Sequence, residues 1–391
     1  MKIRLFILLL WPAIAMAQSG RDPGIAYSVE AALGQPEITH TLIISNQSSL
    51  NLDKDLSSLT TVHTLHLSNN KLTEWPQAIR QLKNLRVLWL FYNQLDTIPD
   101  WIAQLESLEE LNLSNNVIRN FPEHLSRMKS LKLLNLRDNR IGSLPESIGR
   151  MKSLEELDLY GNALRSLPMA IGELKRLRRL DLHRNGLSKL PPSIGKLREL
   201  EELDLNFNEP LKDLPIELGQ LKKLRKLDLY RDVFHRIPEC VFELENLEEL
   251  NMSKVRITAV PPEIGNLKRL RHLDLFCNQI KSLPESFGEL TELRVLQLGN
   301  NTSLSLGPYM GKLVNLERLH LANVRGTPLP AEMEAMKSLV LLDLRNHART
   351  ELPEHILRMT WLKDLYLDGN TFDDAWKERI RQALPNTNIS F

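Results

Sequence analysis

The chain has 391 residues, 42% of them hydrophobic and 25% charged, and its formal net charge is +1. This balance is typical of a water-soluble protein with ample apolar material for a core. It excludes a global electrostatic attraction to nucleic acid or to an anionic membrane, so we expect no nucleic-acid partner.

The N-terminus has the features of an export signal. Lys2 and Arg4 form a basic start, residues 5–14 are nearly all apolar, and Ala15 and Ala17 place small residues at the cleavage positions. The apolar run is shorter than the ~20 residues of a membrane-spanning helix, which favours a removed signal peptide, residues 1–17, over an uncleaved anchor. The sequence therefore predicts an exported protein, periplasmic or secreted, that is cleaved near Ala17 and has no membrane span.

A 23-residue repeat fills residues 39–370. Six leucines mark its period, and each opens the pattern L-x-x-L-x-L-x-x-N-x-L-x-x-L-P: Leu85, Leu108, Leu131, Leu154, Leu177 and Leu200. A fixed period in the twenties indicates strand-and-return modules that are stable only when they are stacked. Alternation around the middle leucine predicts a short strand, and the proline at position 15 predicts a short helical return.

An asparagine occupies the ninth position of most repeats. It is found at Asn70, Asn93, Asn116, Asn139, Asn162, Asn185, Asn208, Asn278, Asn301 and Asn370. A buried amide must find hydrogen-bond partners, and this one is placed to bond the backbone of its own turn and of the next. We therefore expect a structural asparagine ladder rather than a set of catalytic residues.

The pattern resembles the leucine-rich repeat family, in the 23-residue subtype with an L-P-x-x-I-G-x-L-x-x-L return that Ras-group proteins and many exported bacterial proteins share. The resemblance implies an α/β fold, a right-handed solenoid with a parallel concave sheet and short convex helices. It also implies a capping helix within residues 18–38 and a C-terminal cap, 371–391, made of a helix and a last strand. The cysteine-knotted caps of animal extracellular members are missing, which favours a bacterial origin.

The chain has two cysteines, Cys240 and Cys277, which lie two repeats apart in this register. Two strand spacings are about 10 Å, beyond the ~7 Å that separates the Cα atoms of a disulfide. We expect no disulfide between them.

The repeat is irregular near 208–232, 255, 301–308 and 324–347. An extra residue follows Asn208, and four residues replace the ninth-position asparagine, namely Asp232, Val255, Val324 and His347. Two interpretations stay open: neutral drift in a tolerant array, or a change of curvature or a binding loop on a rigid scaffold.

The fifth position carries an acidic stripe on the predicted concave face. Its members are Asp158, Asp181, Asp204, Asp228 and Asp274, interrupted by Asn251. Like charges on neighbouring strands repel, which suggests a cation or a basic partner. The competing interpretation, which we favour, is a structural habit of the repeat relieved by nearby Arg and Lys.

Three histidines near the start of the repeats are candidate metal ligands. His63 and His66 stand three residues apart on one strand, so their side chains point to opposite faces, and His40 lies on the strand before. We therefore expect no metal site, and the sequence indicates no cofactor.

Aromatic residues mark the most distinctive surface. Leu88 and Leu90 must point inward, so alternation turns Trp89 and Phe91 outward onto the sheet, next to Tyr92. Exposed clustered aromatics are enriched at binding hot spots. A sparser line follows at Tyr160, Phe207, Tyr230 and Phe276. The competing interpretation is that the N-terminal cap or a neighbouring side chain covers the first triplet.

We find no catalytic motif and predict no catalytic residues. The sequence favours a non-enzymatic, macromolecule-binding scaffold whose partner is a protein or a cell-surface glycan, with no specified oligomeric state. Two alternatives are a cell-surface polysaccharide-binding or adhesion protein and a passive structural or spacer protein of the envelope. The residues expected to contact the partner are Trp89, Phe91, Tyr92, Tyr160, His183, Arg184, Phe207, Tyr230, Arg231 and Phe276.

Overall fold

The computed structural model describes residues 22–47 and 55–391, so the predicted signal peptide lies outside the described residues. The chain divides into two compact units, which we call the first and the second unit. The first comprises Met1–Ile141 and Arg150–Leu157, and the second comprises Gly142–Gly149 and Asp158–Phe391. Every helix within the described ranges is too short or too polar to cross a membrane.

The first unit opens with a short strand, β1, and a helix that precede the repeats. β1 is Ile25–Ala26 and the helix is Val29–Gly34. The Ser28 hydroxyl accepts a hydrogen bond from the Ala31 backbone N–H at 3.1 Å, which caps the helix N-terminus. β1 pairs in parallel with the first repeat strand, β2, and so covers an edge that would otherwise be open. The sequence pattern had not predicted β1.

Parallel three-residue strands follow at one per repeat. They are β2 Thr41–Ile43, β3 Thr64–His66, β4 Val87–Trp89, β5 Glu110–Asn112 and β6 Leu133–Asn135. The returns of this unit are 3₁₀ helices, at Gln77–Gln81, Asp100–Gln104 and Glu123–Arg127. The 3₁₀ helix Glu146–Arg150 and the strand β7, Glu156–Asp158, contain residues of both units.

The second unit repeats this arrangement. Its strands are β8 Arg179–Asp181, β9 Glu202–Asp204, β10 Lys226–Asp228, β11 Glu249–Asn251, β12 His272–Asp274, β13 Val295–Gln297, β14 Arg318–His320, β15 Leu341–Asp343, β16 Asp364–Tyr366 and β17 Asn388–Ser390. Its 3₁₀ returns are Met169–Glu173, Pro192–Lys196, Ile216–Gln220, Glu239–Glu243, Pro262–Asn266, Glu285–Glu289, Pro308–Lys312 and Ala331–Ala335. Its α-helices are Glu354–Leu357 and Asp374–Ala383. The predicted parallel strands and short helical returns are confirmed.

The C-terminal end of the second unit is closed by its last helix and strand. The Asp373 carboxylate accepts the Trp376 N–H at 2.8 Å and caps the helix, whose Ile380 is buried. β17 pairs in parallel with β16, so the last repeat strand is not an open edge.

Leucine packing inside each unit explains why a repeat of this length folds. Leu88 and Leu90 of the first unit are fully buried. Their counterparts in the second unit, Leu203 and Leu205, are at most 1% exposed. Burying a leucine side chain contributes roughly 1.5–3 kcal/mol, and each repeat adds several such residues. The stack of leucines is therefore the core of each unit.

The predicted asparagine ladder is confirmed. The Asn93 amide donates to the Leu67 and Leu90 carbonyls at 2.9 Å, and its oxygen accepts the Asn70 and Leu72 N–H groups at 3.0 Å. One side chain thus satisfies four backbone groups at the point where the chain leaves the strand.

Two irregular repeats keep the ladder with a different side chain. His347 bonds the Leu321 carbonyl through Nε2 at 2.8 Å. Asp232 accepts the Asn208 N–H at 2.7 Å, while its buried Oδ2 has no partner among the described residues. Burial raises the pKa of Asp232 to about 9, so the acid is protonated at neutral pH. The two cysteines are free thiols, Cys240 buried and Cys277 half-buried.

Candidate partner-binding surface

The strand face of each unit consists of the side chains that alternate with the buried leucines. In the first unit, the in-register pairing of β3 with β4 sets His66 directly beside Trp89. Their rings stack with centroids 4.2 Å apart and planes within 12°. Burial of His66 lowers the pKa of its imidazole to about 4, so this ring is neutral at pH 7.

Trp89 is on the strand face, as alternation predicts, but the expectation that it is exposed is wrong. Only 8% of it is accessible. His66 covers one face of the indole, Phe91 lies 6.1 Å away, and the indole N–H donates to a Glu110 carboxylate oxygen at 2.6 Å. The neighbouring side chains, rather than the leucine core, bury the ring.

The accessible part of this group is Phe91 and Tyr92. Phe91 is half-buried, and Tyr92, 57% exposed, meets it edge to face with centroids 5.8 Å apart. Backbone hydrogen bonds set Asn69 beside Phe91 and Ser114 beside Tyr92. Both neighbours have smaller side chains than the aromatic residues. Tyr92 therefore projects above its surroundings. We call His66, Trp89, Phe91 and Tyr92 the first aromatic cluster.

The second unit carries a continuous line of rings, which we call the second aromatic cluster: Tyr160, His183, Phe207 and Tyr230. Tyr160 meets His183 edge to face at 4.6 Å, and His183 stacks on Phe207 at 5.2 Å with planes within 4°. Phe207 then meets Tyr230 edge to face at 5.1 Å. All four side chains are half-buried. The structure thus joins residues that the sequence predicted only as a sparse line.

Cations lie against this cluster. The Arg231 guanidinium carbon is 5.2 Å from the centre of the Phe207 ring. The Lys254 ammonium is 5.3 Å from the centre of the Tyr230 ring and 3.0 Å from its hydroxyl. Arg184 is exposed next to the line. Lys254 is a contact that the sequence interpretation had not singled out.

Phe276 is not part of the line. Its ring packs over Gly299, where an added Cβ would lie 3.2 Å from the Phe276 ring edge. A side chain at residue 299 would compete with the ring for this place, so the absence of a Cβ there makes room for Phe276.

A left-handed backbone fixes several of the predicted contact residues. The residue before the ladder position has positive φ at Tyr92 (53°), Arg184 (55°), Phe207 (54°), Arg231 (64°) and Lys254 (58°). This conformation costs non-glycine residues about 1 kcal/mol or more each. The sequence carries a signal for this conformation, because Asn69, Asn115 and Gly161, at the same position in other repeats, are residue types that tolerate positive φ.

Aspartates of the acidic stripe hold the turns that carry the second aromatic cluster. Asp181, Asp204 and Asp228 pair in register on adjacent strands. Each carboxylate accepts the backbone N–H two residues ahead, at 3.0, 3.0 and 3.2 Å, and so holds the turn that carries the rings. Burial, together with the charges of the two flanking aspartates, raises the pKa of Asp204 to about 8.

The geometry of the histidines and aspartates does not describe a metal centre. His40 and His63 stack on each other at 5.3 Å, whereas His66 stacks on Trp89, so the three rings do not converge. Within residues 22–47 and 55–391, no group of three or more His, Cys, Asp or Glu side chains is arranged to hold a metal ion.

Comparisons with known proteins agree with the geometry. A family model described as a leucine-rich repeat region matches residues 119–251 and 235–326, and one described as a leucine rich repeat matches 60–118 and 96–141. A leucine-rich repeat protein of Leptospira interrogans is 35% identical, with a TM-score of 0.82, over 94% of this chain and 99% of that one. No match was found among curated proteins.

Two more distant structures share the fold alone. An internalin of Listeria monocytogenes is 23% identical, with a TM-score of 0.65, over 82% of this chain and 84% of its own. The Toll–Spatzle complex of Drosophila contains a chain that is 22% identical, with a TM-score of 0.69, over 85% of this chain and 51% of that one.

Proposed function

The chain belongs to the leucine-rich repeat family, and on this basis we propose that it is a non-enzymatic scaffold that binds another protein through its strand face. The observation that carries the proposal is the second aromatic cluster, with Arg231 and Lys254 against it. Aromatic and arginine side chains dominate binding hot spots. In this cluster, ring stacking and aspartate-held turns already immobilise them, which lowers the entropy lost on binding.

The first aromatic cluster would provide a separate contact. Tyr92 is the exposed ring, Phe91 supports it, and the buried Trp89 holds Phe91 in place. In this proposal, Tyr92 and Phe91 touch the partner and Trp89 acts by positioning them. The three predicted contact residues of this cluster therefore divide into two that touch the partner and one that supports them.

A protein partner is favoured over a glycan by the direction of the rings. A sugar stacks on the open face of an aromatic ring. The facing sides of His183 and Phe207 cover each other, Arg231 lies against Phe207, and Lys254 lies against Tyr230. The cluster therefore offers ring edges, hydroxyls and positive charge, which suit polar and acidic protein side chains.

We also propose that the protein is exported and bacterial, with a signal peptide cleaved near Ala17. The basic start, the short apolar run and the small residues at 15 and 17 support this localisation. The relative from Leptospira interrogans supports a bacterial origin. N-terminal sequencing of the mature protein tests the cleavage site, and a chain that still began at Met1 would contradict it.

The binding surface is tested by removing two rings of the second cluster. A Phe207→Ala, Tyr230→Ala variant should lose at least about 2 kcal/mol of binding free energy, or roughly 30-fold in affinity, because hot-spot rings of this type typically contribute this much. The measurement is crosslinking capture from envelope and host extracts, followed by titration of the captured protein.

The matched control is Trp376→Ala, which removes an aromatic ring and its contact with Arg379 from the closing helix of the same unit. This control should bind like the wild type. If the folded double variant captures the same partner with unchanged affinity, the strand face of the second unit is not the binding surface.

A further inference from the structure

The helical side of the second unit has an apolar row, formed by the first residues of three consecutive 3₁₀ returns. Met169 is 55% exposed and Ile216 is 61% exposed, and Pro192 between them is exposed as well. In two other returns of this unit the same position is acidic, at Glu239 and Glu285, whereas three others begin with Pro262, Pro308 and Ala331. A carboxylate there is favoured by the partial positive charge of a helix N-terminus. At the Met169 return this carboxylate comes from Glu146, which accepts the Met169 and Ala170 N–H groups at 3.2 and 2.9 Å.

The three returns are packed against each other without a gap. A Cβ added to Gly172 would collide with the Ser193 carbonyl, and one added to Gly195 would collide with the Glu217 carbonyl. Successive returns therefore pack closely through their backbones, which places the three apolar residues in one row across adjacent returns. We call Met169, Pro192 and Ile216 the apolar ledge.

Positive charge is concentrated around the apolar ledge. The segments 165–176, 188–199 and 212–223 contain nine Lys and Arg residues against four Asp and Glu residues, a surplus of five in a chain whose net charge is +1. Arg165, Lys189 and Lys212 precede the ledge residues by three or four positions and are exposed. In the part of the chain that the structure describes, these three have no ion pair.

The acidic residues of the three segments are mostly paired with cations, and the adjacent Glu146 is bonded to backbone N–H groups. Asp213 lies 2.8 Å from Arg236, and Glu199 lies 2.6 Å from Lys223. Glu173 lies 3.8 Å from Lys175, which leaves Glu217 as the remaining acid of the three segments. The surface next to the ledge therefore presents net positive charge beside exposed apolar side chains.

We propose that the apolar ledge and its flanking cations form a contact site for an anionic lipid surface. Apolar side chains enter the boundary between headgroups and acyl chains, while Lys and Arg pair with the lipid phosphates. The formal net charge of the whole chain hides this site, because the surplus is confined to three helical segments. The site lies on the opposite side of the repeats from the proposed protein-binding surface and does not depend on it.

The experiment uses the full chain and lipid vesicles. Co-sedimentation is measured with vesicles of phosphatidylcholine and phosphatidylglycerol in a 3:1 ratio and with phosphatidylcholine alone. We expect binding to the anionic vesicles that weakens as salt is raised, and little binding to the neutral ones.

Two variants test the two components. Arg165→Gln, Lys189→Gln, Lys212→Gln removes the flanking charge and should lower partitioning by about tenfold or more. Met169→Glu, Ile216→Glu restores the acid found in other returns and should abolish binding. Both change exposed side chains, so circular dichroism and the melting temperature should match the wild type.

The matched control removes equal charge elsewhere in the unit. Lys281→Gln, Lys312→Gln, Arg325→Gln takes away three exposed cations far from the ledge along the chain, and it should bind vesicles like the wild type. An equal loss in this control, or no binding of the folded wild type to anionic vesicles, overturns the proposal. The Phe207→Ala, Tyr230→Ala variant should keep vesicle binding, which separates this result from the outcome for the strand face.

Discussion

Each aromatic cluster lies on the strand face of its own unit, but the neighbouring side chains bury the rings of the two clusters differently. In the first, Trp89 is covered by its neighbours on adjacent strands and only Tyr92 stands free. In the second, four half-buried rings run along successive repeats above a row of aspartates. The difference shows that strand alternation decides which way a ring faces, while the size of the side chains on neighbouring strands decides how exposed it is.

The largest expected effect is on stability, from removing the buried ring. Trp89→Ala should lower the free energy of unfolding by about 3 kcal/mol, because a large buried aromatic is lost together with its contacts. Phe207→Ala, at a half-buried position, should cost about 1 kcal/mol. Denaturant titration of both variants measures the contrast. A Phe207→Ala variant that is less stable than Trp89→Ala would reverse our assignment of supporting and touching residues.

The second prediction is that His66 in the first unit and the buried aspartates Asp204 and Asp232 in the second make local stability respond to pH in opposite directions. In the first unit, His66 has a folded pKa of about 4, below its ordinary 6.5. The unfolded chain binds more protons between these values, so stability should fall as pH drops from about 6.5 to 4. In the second unit, Asp204 and Asp232 have folded pKa values of about 8 and about 9, above their ordinary 3.8. Here the folded state binds more protons, so stability should fall as pH rises from about 4 to 9.

Hydrogen exchange at pH 5 and pH 8, corrected for the intrinsic rate, resolves the strand that carries His66 from the strands next to Asp204 and Asp232 in one experiment. Asp232→Asn supplies the control, because an amide can make the ladder bonds without a proton from solvent. At pH 8 the free energy of unfolding of this variant should exceed that of the wild type by about 1–3 kcal/mol. The stability of its second unit should also depend less on pH than in the wild type. If amides of β3, next to His66, and amides of β9, next to Asp204, lost protection at the same end of the pH range, the contrast between the clusters would be wrong.

The smallest expected effect concerns the hydrogen bond that holds the Trp89 indole. Glu110→Ala removes the carboxylate that accepts the indole N–H at 2.6 Å. The cost should be about 1 kcal/mol, since the ring stays stacked on His66. The Trp89 indole N–H resonance should shift upfield in an amide correlation spectrum. Glu109→Ala, which removes the neighbouring carboxylate that pairs with Lys132, should leave that resonance in place.

Much of the fold could be predicted because the repeat is local. The leucines, the ninth-position asparagine and the proline each act within one repeat or on the next, so a single period specifies strands, ladder and returns. The facing of Trp89 and Phe91 followed from the same alternation. The exposure of Trp89 could not be predicted in this way, because it depends on His66 and Glu110. These two residues lie 23 and 21 residues away in the chain, and the repeat pattern does not specify which side chains they carry.

The sequence predicts which aromatic residues belong to the candidate site, but not how their rings pack against each other. Tyr160, His183, Phe207 and Tyr230 were all recognised, but their joining into one line depends on a positive φ at Phe207 and on aspartates that bond the turns. The apolar ledge could not be predicted from the net charge of the chain, because that value averages over the three segments where the cations collect.

The asparagine ladder has a consequence for how such a chain changes in length. In most repeats the amide oxygen accepts the N–H group 21 residues earlier, and Asn93, Asn278 and Asn370 also accept the one 23 residues earlier. A duplication or deletion of one whole 23-residue module leaves every remaining amide with an equivalent neighbour, whereas an insertion of any other length breaks a rung unless a turn absorbs it. Such a gene is therefore expected to grow and shrink in steps of 69 nucleotides, three for each residue of the module.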